Sequence, residues 1–186
     1  MPADRGRAAR AIEEFLSALS LDPRSGDLVG TGARVADAFA DDLCEGYAID
    51  ARALLAAEAI AVNEGPRQVV VLRDLAVAMT CPHHLMIGAG VATVAFAPTG
   101  KVVGVGALAR VVQAYARRLT LQETVGAEVV RAIHEVLRPR WVACRLVMTH
   151  ACMTARGERA HGARLETWAT LGDDDDAARA SVGTGG

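Results

Sequence analysis

The sequence has few aromatic residues, few lysines and no long apolar run. Its 186 residues include only three Phe, two Trp and two Tyr. Since 52% of the residues are nevertheless hydrophobic, Val, Leu and Ala must fill the core. The length agrees with one compact domain of roughly 100–200 residues and excludes a disordered chain.

An excess of charge of one sign is also missing. The chain has 20 Lys and Arg against 22 Asp and Glu, which gives a net charge of −2. This balance excludes the broad basic surface of a duplex-binding protein, so we predict no nucleic-acid partner. Lys101 is the only lysine, and this excess of arginine suits fork-like recognition of phosphate and carboxylate, although a GC-rich genome is the favoured explanation.

No apolar run reaches the roughly 20 residues that cross a bilayer, and residues 1–5 carry no apolar leader. We therefore expect a soluble, cytoplasmic protein with no membrane partner. Cysteine occurs four times, at positions 44, 81, 144 and 152. In a cytosolic chain of this size, cysteine is more often buried, catalytic or metal-bound than paired in disulfides.

Hydrophobic periodicity predicts the order of the elements. Helical spacing predicts N-terminal helices near residues 12–19, 32–44 and 50–62. Val-rich runs and amphipathic patterns then predict two strands, two helices and two strands, at 68–80, 88–97, 107–119, 120–137, 141–149 and 164–171. We divide the chain into an N-terminal helical segment (1–62), an α+β catalytic domain (63–172) and a disordered acidic and Gly-rich tail (173–186).

Cysteine and histidine concentrate where two predicted strands end, in Thr80-Cys81-Pro82-His83-His84 and in Thr149-His150-Ala151-Cys152. The spacing of Cys81 and His84 lets both reach one ion, and Cys152 could complete a Cys₂His set. Three ligands leave a fourth position open for a water, whose pKa a catalytic zinc lowers toward about 7. The alternatives are a structural site completed by His83 or His150, and no metal site.

The neighbouring polar residues also have two interpretations. His83 and His150 flank the proposed ligands and could transfer protons at neutral pH. Glu123 fits a capping box with Thr120, and on the residues alone this interpretation is favoured. Cys44 and Cys144 lie in apolar segments without histidine nearby, so we expect them to be buried or inert.

Together these motifs resemble the GTP cyclohydrolase I family. The matching segments are the Cys-x-His-His run after a strand, Gly104-x-x-x-Leu108-Ala109-Arg110, Ala116-Arg117-Arg118-Leu119-x-x-Gln122-Glu123, and Thr149-His150-x-Cys152-Met153-x-x-Arg156-Gly157. The resemblance covers about residues 10–172. It implies the T-fold, in which a four-stranded antiparallel sheet carries two helices between its second and third strands (ββααββ). It also implies toroidal homodecamers with active sites between subunits.

The resemblance implies a role for each matching residue. The zinc ligands would be Cys81, His84 and Cys152, and the proton-transfer residues His83 and His150. Glu123, with Gln122 beside it, would hold the guanine edge, because a carboxylate can accept two N–H bonds. The triphosphate would be bound by Arg110, Arg156 and a neighbouring subunit's Arg34.

The implied reaction is zinc-dependent hydrolysis of GTP to 7,8-dihydroneopterin triphosphate and formate. It begins with attack of the zinc-activated water at C8 and belongs to pterin and tetrahydrofolate biosynthesis and one-carbon metabolism. The chain departs from the family at Gly106 and Ala107, where a Ser and a phosphate-binding Lys are usual, and Arg159 or Arg164 could replace the lost cation. Two alternatives follow: a paralogue that uses another purine nucleotide or stops at a ring-opened formamidopyrimidine, and a non-catalytic oligomeric partner with structural zinc.

Overall fold

The computed structural model describes residues 3–63 and 68–183, and the chain divides into two compact units at residue 45. The first unit contains two helices, a 3₁₀ turn and a π turn: α1 (Arg5–Ala18), Gly26–Leu28, α2 (Thr31–Ala38) and Phe39–Leu43. The predicted helix over 32–44 is therefore α2 followed by the π turn.

The two helices of the first unit pack closely against each other. A Cβ at Gly32 in α2 would lie 2.5 Å from the Ala9 carbonyl oxygen in α1, so only glycine fits this contact. Asp4 caps α1 by accepting a hydrogen bond from the Arg7 N–H at 2.9 Å. Arg5 adds an ion pair with Asp37 at 3.0 Å.

The second unit contains the remaining elements. In chain order they are α3 (Ala51–Glu58), β1 (Ala59–Ala61), β2 (Val70–Cys81), β3 (Met86–Phe96), β4 (Lys101–Val103), α4 (Val105–Ala116), α5 (Gln122–Leu137), β5 (Trp141–His150), α6 (Ala151–Thr154), β6 (Leu165–Gly172) and α7 (Asp175–Val182).

The four long strands form one antiparallel sheet in the order β2-β3-β5-β6. The helices α4 and α5 stand between its second and third strands in sequence, which confirms the predicted ββααββ arrangement of the T-fold. The predicted helix over 50–62 was too long, because it ends at Glu58 and β1 then pairs with β4 in a small second sheet. None of the described helices is both long and apolar enough to span a bilayer.

The two faces of the four-stranded sheet are covered by different helices. Alternate residues of β3 and β5, such as Phe96 and Leu146, are fully buried with α4 and α5 in the main core. Their neighbours Ala95 and Ala143 point to the opposite face, since successive side chains of a strand alternate. The helix α7 covers part of that face with Val182 and Ala178.

The prediction of a disordered tail is therefore wrong for residues 175–182, which form α7. Ala178 and Val182 are four positions apart and both are fully buried, while Asp174 caps α7 through the Ala177 N–H. Acidic residues in the first turn also favour the helix, because they face its positive end. The sequence interpretation gave weight to the acidic and glycine content and missed this short apolar spacing. Residues 184–186 lie outside the described part.

Candidate active site

A cleft of about 520 Å³ opens where β2 and β5 end, beside the first turn of α5 and the segment that precedes β6. Six of the predicted site residues line it: Cys81, His83, Gln122, Glu123, His150 and Cys152. The structure therefore brings together residues that lie up to 71 positions apart in sequence (152 − 81).

A tight turn between β2 and β3 places the first pair of these residues. The Leu85 N–H donates to the Cys81 carbonyl oxygen at 2.9 Å, and Leu85 takes a left-handed φ of 53°. Cys81 is buried, and His83 and His84 are both exposed, but only His83 lines the cleft. The rings of His83 and His84 lie edge to face, with their centroids 6.4 Å apart.

The chemistry of the donors fits zinc at two of the three predicted ligands. The thiols of Cys81 and Cys152 both line the cleft, and thiolate and imidazole are the ligands that zinc prefers. The third predicted ligand, His84, does not line it. Over residues 3–63 and 68–183, no three His, Cys, Asp or Glu side chains lie close enough together to hold an ion. The ligand set thus stays a prediction.

The connection between α4 and α5 brings the start of α5 to Cys81. Leu119 forms a parallel bridge with Thr80, and the Thr120 N–H donates to the Thr80 carbonyl oxygen at 3.1 Å. These two contacts tie the connection to the end of β2. As a result, Gln122 and Glu123 enter the cleft in the first turn of α5.

The capping box that the sequence favoured is not formed. The N-cap of α5 is Leu121, and no side chain caps the helix. The Thr120 hydroxyl instead lies 3.4 Å from the Leu121 carbonyl oxygen. The Glu123 carboxylate is therefore not used as a cap and lines the cleft.

Gln122 is 1% exposed, and its side-chain amide is fully hydrogen-bonded within the protein. The Nε2 group lies 3.1 Å from each of three acceptors, which are the carbonyl oxygens of Leu146 and Leu165 and the Thr167 hydroxyl. The Oε1 atom lies 2.8 Å from His150 Nε2. These bonds link α5 to both β5 and β6. The direct substrate contact predicted for Gln122 stays a prediction, and its amide has a structural task that the sequence did not reveal.

The three arginines predicted to bind phosphate do not line this cleft. Arg110 pairs with Glu58 at the end of α3, and Arg156 is exposed outside the cleft lining. Arg34 belongs to the first unit, where it donates to the Val29 carbonyl oxygen at 2.9 Å. Arg164, one of the two suggested replacement cations, does line the cleft.

The positions that depart from the family differ in exposure. Gly106 is exposed near the start of α4, whereas Ala107 is only 1% exposed and belongs to the main core.

Of the two cysteines expected to be inert, Cys144 is fully buried, and burial raises the pKa of its thiol to about 12. Burial also raises the pKa of the Cys44 thiol. Neither thiol lines the cleft, in agreement with that prediction.

The fold and the cleft define a T-fold protein whose cysteines, histidines and one carboxylate meet at the ends of two strands. The sequence model described as GTP cyclohydrolase I matches residues 8–183. The chain belongs to the GTP cyclohydrolase I family, which confirms the predicted class of enzyme, a hydrolase.

Curated relatives agree with this assignment over nearly the whole chain. GTP cyclohydrolase 1 of Leifsonia xyli subsp. xyli is 36% identical over 96% of this chain and 93% of its own length. GTP cyclohydrolase 1 of Thermobifida fusca is 37% identical over 91% of this chain and 81% of its own. The corresponding Streptomyces coelicolor protein is 36% identical over 94% and 86%.

Among solved structures, an archaeosine synthase QueF-like protein in its apo form matches 60% of this chain and 98% of its own. The match has a TM-score of 0.46 and 16% identity, which is too low to support a conclusion.

Proposed function

We propose that the chain hydrolyses GTP to 7,8-dihydroneopterin triphosphate and formate in a zinc-dependent reaction. The observation that carries this proposal is the meeting of Cys81, His83, Glu123, His150 and Cys152 in one cleft. Membership of the GTP cyclohydrolase I family supports the substrate.

The base would be recognised by the first turn of α5. Glu123 carries a carboxylate that no capping bond occupies, and a carboxylate can accept two N–H bonds from N1 and the 2-amino group of guanine. Among the residues that the structure describes, Arg164 is the one arginine or lysine in the cleft lining, and its planar fork suits a phosphate. A single cleft of the described chain thus offers a group for each end of the nucleotide.

Cys81, Cys152 and His84 would hold the ion, His84 after a movement of its exposed turn. When bound, Zn²⁺ supplies a Lewis acid that makes water a nucleophile at neutral pH. His83 and His150 would move protons to and from the imidazole nitrogens as the ring opens. Cleavage of both C8–N bonds consumes two waters, and closure of the new ring releases one.

The family resemblance also supports a homodecamer and arginines shared between subunits. Arg34, Arg110 and Arg156 would then complete the triphosphate site, with Arg34 supplied by a neighbouring subunit. A ring of this kind explains why these three arginines do not line the cleft of one chain.

A second candidate function keeps the hydrolysis but changes its product. Gly106 replaces the serine that resemblance to the family associates with the late rearrangement, and no hydroxyl stands at this exposed position. The reaction would then stop at a ring-opened formamidopyrimidine, or another purine nucleotide would be used.

The experiment is to incubate the zinc-loaded protein with GTP and measure formate and oxidised neopterin fluorescence together. We expect both products in equal amounts. Formate without neopterin would replace the first proposal by the second candidate. Neither product, with zinc tightly bound, would mean that the ion is structural and the chain non-catalytic.

Treatment with a chelator separates these outcomes further. Removal of zinc should abolish formate release, and added Zn²⁺ should restore it. His83→Ala should abolish turnover while zinc content stays near that of the wild type. Loss of zinc in this variant would show that His83 is a ligand.

A further inference from the structure

Gln122 has a set of hydrogen bonds that leaves no choice in how its amide is oriented. The atom that faces Leu146 and Leu165 has two backbone carbonyl oxygens at 3.1 Å. Carbonyl oxygens only accept hydrogen bonds, so this atom must be the amide nitrogen. The amide oxygen is then the atom 2.8 Å from His150 Nε2.

This orientation determines where the hydrogen on His150 lies. An amide oxygen can only accept a hydrogen bond, so the short contact requires that His150 Nε2 carry a hydrogen. In the neutral ring the other nitrogen, Nδ1, then has the free lone pair.

Gly88 lies beside the same ring, because it pairs with His150 across β3 and β5. A Cβ built on Gly88 would lie 2.8 Å from His150 Nδ1 and 2.9 Å from Cε1, closer than real Cβ contacts allow. A larger residue at position 88 would therefore displace the ring from its place against Gln122.

We propose that Gln122 is a positioning residue that holds the His150 ring in place by accepting a hydrogen bond from its Nε2–H group. This inference rests on the proposed function for the role of His150 in proton transfer. It assigns Gln122 to the histidine, where the family resemblance placed it beside the guanine.

The structural basis of this role is the burial of the amide. Gln122 is 1% exposed, and a buried amide without partners is costly, so its contacts hold it firmly. Because the acceptors around its nitrogen lie on β5 and β6, the amide cannot turn toward substrate without breaking these hydrogen bonds. A residue that does not touch the substrate can orient a reacting ring in this way.

The first test is made on the wild-type, zinc-loaded protein and needs no variant. Nitrogen-15 NMR of protein labelled at its five histidines, at a pH where the imidazoles are neutral, reports which ring nitrogen carries hydrogen. Comparison with His150→Gln identifies the His150 signals. We expect the form with hydrogen on Nε2, and the form with hydrogen on Nδ1 would overturn the proposal.

The second test separates positioning from substrate contact. Gln122→Met keeps the length of the side chain but removes its hydrogen bonds. We expect kcat for formate release to fall about 10–100-fold, as for other residues that orient a reacting side chain without touching substrate, and KM for GTP to change less than about threefold. A KM raised about tenfold or more with unchanged kcat would show that Gln122 binds the base and would overturn the proposal.

The matched control is Gln113→Met in α4. Gln113 also donates from its amide to a backbone carbonyl oxygen, that of Ala76 at 2.7 Å, but lies outside the cleft lining. We expect its kcat to stay near wild type, and an equal loss in both variants would overturn the specific role. If Gln122→Met does not fold, the NMR measurement decides alone. If the wild type releases no formate, the proposed function fails while the NMR result still tests the inference.

Discussion

The cleft wall formed by α5 and β5 differs sharply from the region that should bind the triphosphate. On the wall, His150 contacts Gln122 through Nε2, and a side chain at Gly88 would displace its ring. On the phosphate side, Arg110 is tied to Glu58 and Arg156 lies outside the lining.

This difference shows which part of the candidate site is held in place by contacts within a single chain. Buried polar groups must find partners within the fold, so the wall is organised before any substrate arrives. Exposed cations stay solvated, and their ion pairs contribute only about 0–1 kcal/mol. The region proposed to bind the triphosphate can therefore be rearranged at little cost.

The largest effect on activity is expected when Glu123, in the cleft wall, is replaced. In Glu123→Ala, kcat/KM for GTP should fall about a thousandfold, because two hydrogen bonds to a charged acceptor are lost at about 1.5–3 kcal/mol each. Steady-state formate release measures this loss. A fall of less than about tenfold would show that the carboxylate does not hold the base.

Thr120→Ala is the control for this variant, since it removes the other half of the predicted capping box. Because no such box is formed, the free energy of unfolding should change by less than about 0.5 kcal/mol. A loss of about 1 kcal/mol, as for a true N-cap, would mean that the box exists in solution.

The next effect tests the glycine beside the His150 ring. In Gly88→Ala the new methyl group would lie 2.8 Å from the ring, so the imidazole must move and kcat should fall about a hundredfold. Gly100→Ala is the control, because nothing lies within 4 Å of its added Cβ. If both variants keep wild-type kcat, activity does not depend on the position of the ring.

A smaller effect is expected on the phosphate side. Arg164→Ala should raise KM for GTP about tenfold and leave kcat unchanged, since one charge-assisted contact of about 1.5–3 kcal/mol is lost. Arg159→Ala removes the same charge from a residue outside the cleft lining and should have no effect. Equal KM values for the two variants would show that Arg164 does not bind the substrate.

The smallest effect concerns the ion pair of Arg110. Glu58→Gln releases this arginine, and KM for GTP should fall by no more than about fivefold, because an exposed pair is worth about 1 kcal/mol or less. Glu135→Gln breaks the comparable pair with Arg52, 2.5 Å long, and should leave KM unchanged. A higher KM in Glu58→Gln would show that Glu58 orients Arg110 for binding.

Much of the fold follows from sequence periodicity. The four long strands and the pair α4 and α5 agree with the predicted elements to within a few residues, because each has an unbroken apolar pattern. Short elements were missed. The strands β1 and β4 have three residues each, and α7 depends on two buried side chains, Ala178 and Val182.

The site was only partly predictable for a different reason. The motifs of the sequence identified Cys81, His83, His150 and Cys152, because residue type and spacing carry that chemistry. Sequence spacing does not show which of two possible roles a residue has in the folded protein. Thr120 and Glu123 matched a capping box, yet the connection from α4 enters along β2 and makes Leu121 the N-cap.

The sequence by itself determined the order of the elements, the family and the residue types of the site, since these depend on local pattern and composition. Only the tertiary structure decided which polar groups form hydrogen bonds within the protein and which line the cleft without a cap to serve. Gln122 and Glu123 are adjacent in the chain and similar in size. The packing of α5 on β5 and β6 buries the first among carbonyl acceptors and leaves the second lining the cleft.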